Sequence, residues 1–162
     1  MFKTENNNIS ASETFGNGGM RSFVRIRNVL FLILGLLMIQ FWLGMTINLE
    51  VNIPVKYLGP LQSLTYFGGH FAYILAHIVN GLSILFTSLT LLFLSFKTNN
   101  LSLKICAIFI LGGVIGAITN GVLFLMSGQF FGWSVGMAMS AVSVLVASGI
   151  DLYFVGKSIQ MN

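Results

Sequence analysis

The sequence predicts an all-α protein, a membrane-spanning bundle of four helices with both termini on the cytoplasmic side. Three observations lead to this prediction. Hydrophobic residues make up 56% of the 162 residues, whereas charged residues make up 7%. A soluble domain carries about 25% charged residues. The apolar residues also fall into four runs near the roughly 20 residues that cross a bilayer, and the basic residues cluster between these runs.

The domain limits follow from the change in composition along the chain. Residues 1–22 are rich in Asn, Ser, Thr and Gly, which predicts a disordered polar tail. A transmembrane domain is predicted over residues 23–157, followed by a short tail over 158–162. The four helices of this domain are predicted at about 29–49, 70–96, 105–126 and 134–155.

The first apolar run follows three arginines, as a secretory signal would. The run from Val29 to Leu49 is longer than the apolar core of a signal peptide, and no A-x-A-like cleavage site follows it. The sequence therefore predicts an uncleaved first transmembrane helix.

The second helix carries a polar side along an otherwise apolar span. It has no charged residue before Lys97, and it holds both histidines of the chain. At about 100° per residue, one side collects His70, Tyr73, His77, Asn80, Gly81 and Ser88. Because an unpaired polar group in hydrocarbon is costly, this side is expected to pack against protein.

The distribution of basic residues predicts the orientation. With four spans, seven of the eight Lys and Arg residues lie on one side of the membrane, and only Lys56 lies on the other. By the positive-inside rule, both termini are expected in the cytoplasm of a cell-membrane protein. The net charge of +4 would also be compatible with binding to nucleic acid. Because the basic residues lie at helix ends, we do not expect nucleic acid as a partner.

Small residues recur along the third and fourth helices. On the third, Gly112, Gly116 and Asn120 are four residues apart. On the fourth, one side is predicted to hold Gly136, Ser140, Ser143, Ala147 and Asp151. Small residues let membrane helices approach closely, so both stripes are interpreted as packing surfaces.

A polar pocket is predicted in the outer half of the bundle, around the deeper histidine. His77 is expected to be neutral there and to find hydrogen-bonding partners on the first or third helix. The predicted members of this pocket are Asn48, Tyr73, His77, Asn80, Thr119 and Asn120.

A metal or haem site is the alternative interpretation of the same region. Imidazole and thioether ligands suit haem b or copper, and the candidate ligands are His70, His77, Met45, Met126, Met137 and Met139. Two histidines seven residues apart are about 10 Å apart along one helix, so they could not bind one haem from both sides.

Catalytic residues are not predicted anywhere in the chain. No serine–histidine–acid set, H-E-x-x-H motif or phosphate-binding glycine loop is found. The one carboxylate within the spans, Asp151, is predicted near the cytoplasmic end, where it could reach the interface or pair with Lys97 or Lys104. A subunit of a membrane assembly or a homo-oligomer is therefore favoured over an enzyme, and a redox or metal-binding module is the alternative.

The stretch QFWLGMTINLEVNIP (Gln40–Pro54), with His77 and then Thr119-Asn120-Gly121, resembles small four-helix membrane proteins of bacteria and archaea. Those proteins carry a similar Gly-Met-x-x-Asn-Leu stretch, a histidine in the second helix and an Asn-Gly in the third. The resemblance implies the four-helix topology and singles out Asn48, His77 and Asn120. It implies no activity.

Overall fold

Four long helices make up the computed structural model, which describes residues 7–50, 71–127 and 130–160. They are α1 (Asn7–Glu50), α2 (Phe71–Phe96), α3 (Leu101–Met126) and α4 (Phe131–Gln160). No strand occurs within these ranges. Each helix contains a span long and apolar enough to cross a membrane. The predicted class, an all-α bundle of four candidate membrane helices, is confirmed.

The helices form an antiparallel ring in chain order. Helix α2 packs against α1 and α3, α3 also packs against α4, and α1 closes the ring against α4. In consequence α1 lies diagonally opposite α3, and α2 lies diagonally opposite α4. This is the up-down-up-down arrangement of a four-helix bundle. Connections of four residues, 97–100 and 127–130, join α2 to α3 and α3 to α4.

All the basic residues in the described part of the chain lie at one end of this ring. We call it the basic end. It comprises the start of the α1 span, the turn between α2 and α3 and the last turns of α4, with Arg21, Arg25, Arg27, Lys97, Lys104 and Lys157. Lys97 Nζ lies 4.2 Å from the centre of the Phe93 ring, and Lys104 Nζ lies 5.8 Å from that of Phe96. Both ammonium groups are therefore close enough to an aromatic face for a cation–π interaction.

Three helices extend beyond the predicted limits. α1 begins at Asn7, within the predicted tail of residues 1–22, and α4 continues to Gln160, into the predicted tail of 158–162. Residues 1–6 and 161–162 lie outside the described residues. The apolar runs mark the membrane-embedded part only, whereas a helix propagates by adding one hydrogen bond per residue until a cap or breaker ends it.

The start of α3 shows such a cap. Asn100 is in an extended conformation, and its side chain accepts a hydrogen bond from Ser102 N at 3.0 Å. Asparagine is among the residues preferred at this position, which explains why α3 begins at Leu101 and not at about 105. Asn100 Nδ2 also donates to Ser158 Oγ at 3.4 Å, so the turn between α2 and α3 contacts the end of α4.

The main apolar core lies in the half of the bundle near the basic end. Its fully buried large side chains come from all four helices: Ile26, Leu30 and Ile33 of α1, Leu91 of α2, Leu103 and Ile110 of α3, and Val144 and Val155 of α4. A smaller cluster around Ile74 and Phe124 lies toward the opposite end. The outward faces are apolar, as expected of helices in contact with lipid.

Gly113 and Gly116 lie at the contact between α3 and α4, whereas the predicted pair of glycines is Gly112 and Gly116. A Cβ atom added to Gly116 would lie 3.1 Å from Ser140 Oγ, and one added to Gly113 would lie 2.6 Å from Val144 Cγ2. A Cβ on Gly112 would meet nothing within 4 Å. On α4, Ser143 is likewise exposed, and its hydroxyl donates to the Met139 carbonyl.

The spacing of the stripe accounts for this difference. The residues of α3 that face α4 are Gly113, Gly116 and Asn120, separated by three and then four residues. This alternation follows the mean period of 3.5 that keeps one side of a helix on its neighbour in a left-handed bundle. Residues spaced by a constant four positions rotate progressively away from the side that faces α4. Gly112 therefore lies outside the contact.

The two glycines that differ in this way provide a test of the packing. Gly116→Leu is expected to destabilise the bundle by about 1–3 kcal/mol, because the added side chain meets Ser140 in a packed contact. Gly112→Leu is expected to leave the melting temperature in detergent nearly unchanged. Equal melting temperatures for Gly116→Leu and the unmodified protein would contradict the assigned contact.

Candidate functional site

A chain of polar side chains joins α1 to α2 in the half of the bundle far from the basic end. It consists of Gln40 on α1 and His77 and Asn80 on α2, all half-buried. His77 and Asn80 are three residues apart, so they lie on the same side of α2. Gln40 is the only amide or charged side chain between Val29 and Ile47, and in an apolar span such a group requires a partner within protein.

Each hydrogen bond of this chain has an identifiable donor and acceptor. Asn80 Nδ2 donates to the Leu36 carbonyl at 2.9 Å and to Gln40 Oε1 at 2.7 Å. Gln40 Nε2 lies 3.0 Å from His77 Nε2. Since an amide nitrogen only donates, His77 Nε2 accepts from Gln40. The Asn80 amide therefore donates to both the Leu36 carbonyl and Gln40, and Gln40 in turn donates to the imidazole.

The carbonyl of Leu36 fixes the orientation of the two amide groups. A backbone carbonyl only accepts, so the Asn80 amide must present its nitrogen to α1, and Gln40 must then present its oxygen to Asn80 and its nitrogen to His77. His77 is consequently a neutral imidazole with its proton on Nδ1. That nitrogen is buried without a hydrogen-bond partner among the described residues.

Two glycines allow this approach, each facing the other helix. A Cβ atom on Gly44 of α1 would lie 3.3 Å from His77 Cε1, and one on Gly81 of α2 would lie 3.3 Å from Gln40 Nε2. Gly44 follows Gln40 by four residues, and Gly81 follows His77 by four. In an antiparallel pair this spacing sets each polar side chain against the glycine of its partner helix.

The other predicted pocket residues are not brought to this chain. Asn120 lies at the α3–α4 contact, where its Nδ2 donates to the Gly116 carbonyl at 2.8 Å and its side chain faces Gly136. Asn48, Tyr73 and Thr119 are exposed, and the Thr119 hydroxyl donates to the Ile115 carbonyl of its own helix. The predicted set is thus divided between two helix contacts and the surface.

The candidate metal ligands do not converge in the described part of the chain. Met45, Met126 and Met139 are exposed, and the sulfur of Met137 lies over Gly121 as a packing contact. His77 Nε2 is engaged by Gln40, and His70 lies outside the described residues. Residues 7–50, 71–127 and 130–160 contain no group of three His, Cys, Asp or Glu placed to hold a metal. The described candidates are therefore not brought together at one place, and the interpretation as a haem or copper site stays a prediction.

Asp151 lies in a different environment from the predicted one. It was expected at the cytoplasmic end, reaching the interface or paired with Lys97 or Lys104. Instead the side chain is 0% exposed, and neither carboxyl oxygen has a hydrogen-bond partner among the described residues. Helix α4 continues nine residues past Asp151 to Gln160, which places the carboxyl about 14 Å from the helix end at the usual helical rise.

No protein family model, curated protein or solved structure matches this chain. Its function is therefore inferred from its own residues and their geometry.

The hydrogen-bond direction predicts one tautomer for His77. In nitrogen NMR spectra of protein labelled with ¹⁵N-histidine at neutral pH, His77 Nε2 is expected to give the signal of an unprotonated ring nitrogen and Nδ1 that of a protonated one. Gln40→Leu, which removes the donor, is expected to shift the Nε2 signal, whereas Asn48→Leu serves as the control. A protonated Nε2 in the unmodified protein would contradict the assigned chain.

Proposed function

We propose that this multi-pass protein acts as a subunit or partner within a larger assembly of the cell membrane and does not itself catalyse a reaction. The observation that carries the proposal is a set of glycines on the outside of the bundle. Gly35 of α1, Gly112 of α3 and Gly149 of α4 are exposed, and a Cβ atom at any of them would meet nothing within 4 Å.

A glycine inside a helix lowers the stability of the helix by about 1 kcal/mol relative to alanine. Its presence there therefore calls for an explanation. At Gly113 and Gly116 the reason lies in the bundle, since α4 approaches them closely. No other helix of the bundle approaches Gly35, Gly112 or Gly149. Small residues on membrane helices allow close contact with a further helix, which is the use proposed for these three.

The surroundings of Gly112 support a helical partner. Thr119 follows it by seven residues, about two turns, and therefore lies on the same outer side of α3. Thr119 is exposed, and Ile115 lies between the two on that side. The partner of this surface is a helix of another membrane protein or of a second copy of the chain.

The α1–α2 polar chain supports a structural role in the same way. Gln40, His77 and Asn80 engage one another and the Leu36 carbonyl. Interhelical hydrogen bonds of this kind hold membrane helices together at about 0.6–2 kcal/mol each. Three hydrogen bonds of these side chains cross from one helix to the other, which favours a role in joining α1 to α2.

We also propose that the basic end faces the cytoplasm, so that both termini are cytoplasmic. The six basic residues at this end support the orientation, because cytoplasmic segments next to membrane helices carry an excess of Lys and Arg. The opposite end has no Lys or Arg among the described residues.

The exposed glycine predicts a specific effect on association. Cysteine at position 112, in a Cys106→Ala background, is expected to form a disulfide-linked dimer in native membranes if the partner is a second copy. If the partner is another protein, native electrophoresis of gently solubilised membranes is expected to show the chain in a complex well above its 17.7 kDa.

Gly112→Leu is expected to weaken either association while leaving the melting temperature unchanged, because the leucine meets nothing in the bundle. Ile108→Leu, at another exposed position of α3, is the matched control. A chain that is monomeric in native membranes, with no crosslink at position 112, would contradict the proposal.

The orientation is tested by labelling single cysteines from outside intact cells with a membrane-impermeant maleimide. Lys56→Cys and Gln62→Cys are expected to react, whereas Ser10→Cys and Asn99→Cys are expected to react only after the membrane is opened. Reaction of the cysteine at position 99 in intact cells would reverse the orientation.

A further inference from the structure

The buried polar residues of the described chain are confined to two helices and the turn that follows one of them. They are Ser88, Ser95 and Thr98 at the end of α2 and Ser148, Asp151 and Ser158 on α4. Because α2 and α4 lie diagonally opposite in the ring, their buried sides face the same central axis. All six lie in the half of the bundle near the basic end.

Three of these hydroxyls donate to carbonyls of the preceding turn. Ser88 donates to Leu85, Thr98 to Ser95 and Ser158 to Phe154, all within 2.9 Å. A hydroxyl within a helix commonly forms its hydrogen bond in this way. Ser95, Ser148 and both carboxyl oxygens of Asp151 are the exceptions, since they are fully buried and have no hydrogen-bond partner among the described residues.

The helix contacts give the depth of these groups. The pairs Gly113–Val144 and Asn100–Ser158 set Cys106 of α3 at the level of Asp151 on α4. Ser148 lies three residues before Asp151 and so on the same side of α4. Counted from the turn between α2 and α3, Ser95 lies about one helical turn nearer the basic end than Asp151.

The described side chains provide no positive charge to balance the carboxylate. The buried residues of α1 are apolar, the buried polar residues of α2 carry hydroxyls, and α3 contributes the Cys106 thiol. Lys97 and Lys104 lie against phenylalanine rings near the surface. Arg25, Arg27 and Lys157 are exposed. An unbalanced carboxylate inside a membrane protein is costly, and such groups commonly mark ion or proton pathways.

We propose that Asp151 and Ser148 form a binding site for a monovalent cation, a proton or an alkali-metal ion, within the bundle, with Ser95 on the approach from the basic end. A single carboxylate balances a single positive charge, whereas a divalent ion such as Ca²⁺ is held by more oxygen ligands than this side of the bundle offers. A proton binds to the carboxyl itself. An alkali-metal ion is coordinated by the carboxylate and the Ser148 hydroxyl, with water completing the shell.

The test is the dependence of stability on cation concentration. A cation that binds the folded state stabilises it by mass action. In nanodiscs, the melting temperature of the unmodified protein is expected to rise by about 3 °C for each tenfold rise in the free cation once the site is nearly filled. For a proton this rise follows falling pH. For an alkali-metal ion it follows Na⁺ exchanged for choline at constant pH and ionic strength.

Asp151→Asn is expected to remove this dependence, whereas Ser143→Ala, at an exposed hydroxyl of α4, keeps it. The Ser148→Ala variant separates the two cations, because it weakens the effect of Na⁺ and leaves the effect of protons nearly intact. The proposal is overturned if the unmodified protein and Asp151→Asn respond identically to both pH and Na⁺.

A second measurement needs no variant. Dicyclohexylcarbodiimide partitions into membranes and adds to protonated carboxyl groups, and peptide mass spectrometry locates the adduct. Modification of Asp151 in the folded protein is expected to slow when the pH rises, if the ligand is a proton, or when Na⁺ is added, if it is an alkali-metal ion. A modification rate independent of both cations would equally overturn the proposal.

Discussion

A polar side chain on a membrane helix has to find its hydrogen bonds within the protein, and the contact between α1 and α2 depends on this constraint. Gln40 meets it by bonding to both His77 and Asn80. The distances require the two backbones to approach closely, which Gly44 and Gly81 allow. Polarity and packing are therefore coupled here. A larger residue at either glycine would separate the helices and would leave buried amide and imidazole groups unsatisfied, at about 1–3 kcal/mol for each group.

The polar side chains in the two halves of the bundle differ in their hydrogen bonding. In the half far from the basic end, Asn80, Gln40 and His77 form a hydrogen-bonded chain that also includes a backbone carbonyl. These hydrogen bonds hold α1 against α2. In the half near the basic end, a close-packed apolar core surrounds Asp151 and two hydroxyls without hydrogen-bond partners among the described residues. In the first arrangement His77 Nδ1 alone is buried without a partner among the described residues, whereas in the second the Ser95 and Ser148 hydroxyls and both carboxyl oxygens of Asp151 are.

The sequence was sufficient for the fold because membrane spans are encoded by composition and length, and consecutive spans cross a membrane in opposite directions. It was not sufficient for the site. His77 and Asn80 were predicted to need partners on a neighbouring helix, but Gln40 was not predicted as that partner. An almost entirely apolar run such as that of α1 does not indicate which side of the helix faces inward. The rule that an isolated amide in such a run requires a partner would have identified Gln40.

The interpretation of Asp151 depends on the residue at which α4 ends. With α4 ending at about 155, the carboxyl stands one turn from the membrane surface, where an acid reaches water or a lysine at little cost. With α4 ending at Gln160, it lies about two and a half turns from the helix end, on the side that carries Val144, Ser148 and Val155 into the core. A carboxylate at the surface is compatible with any four-helix protein. The same group, fully buried opposite Cys106 and without a basic partner among the described residues, is the reason for the cation site proposed above.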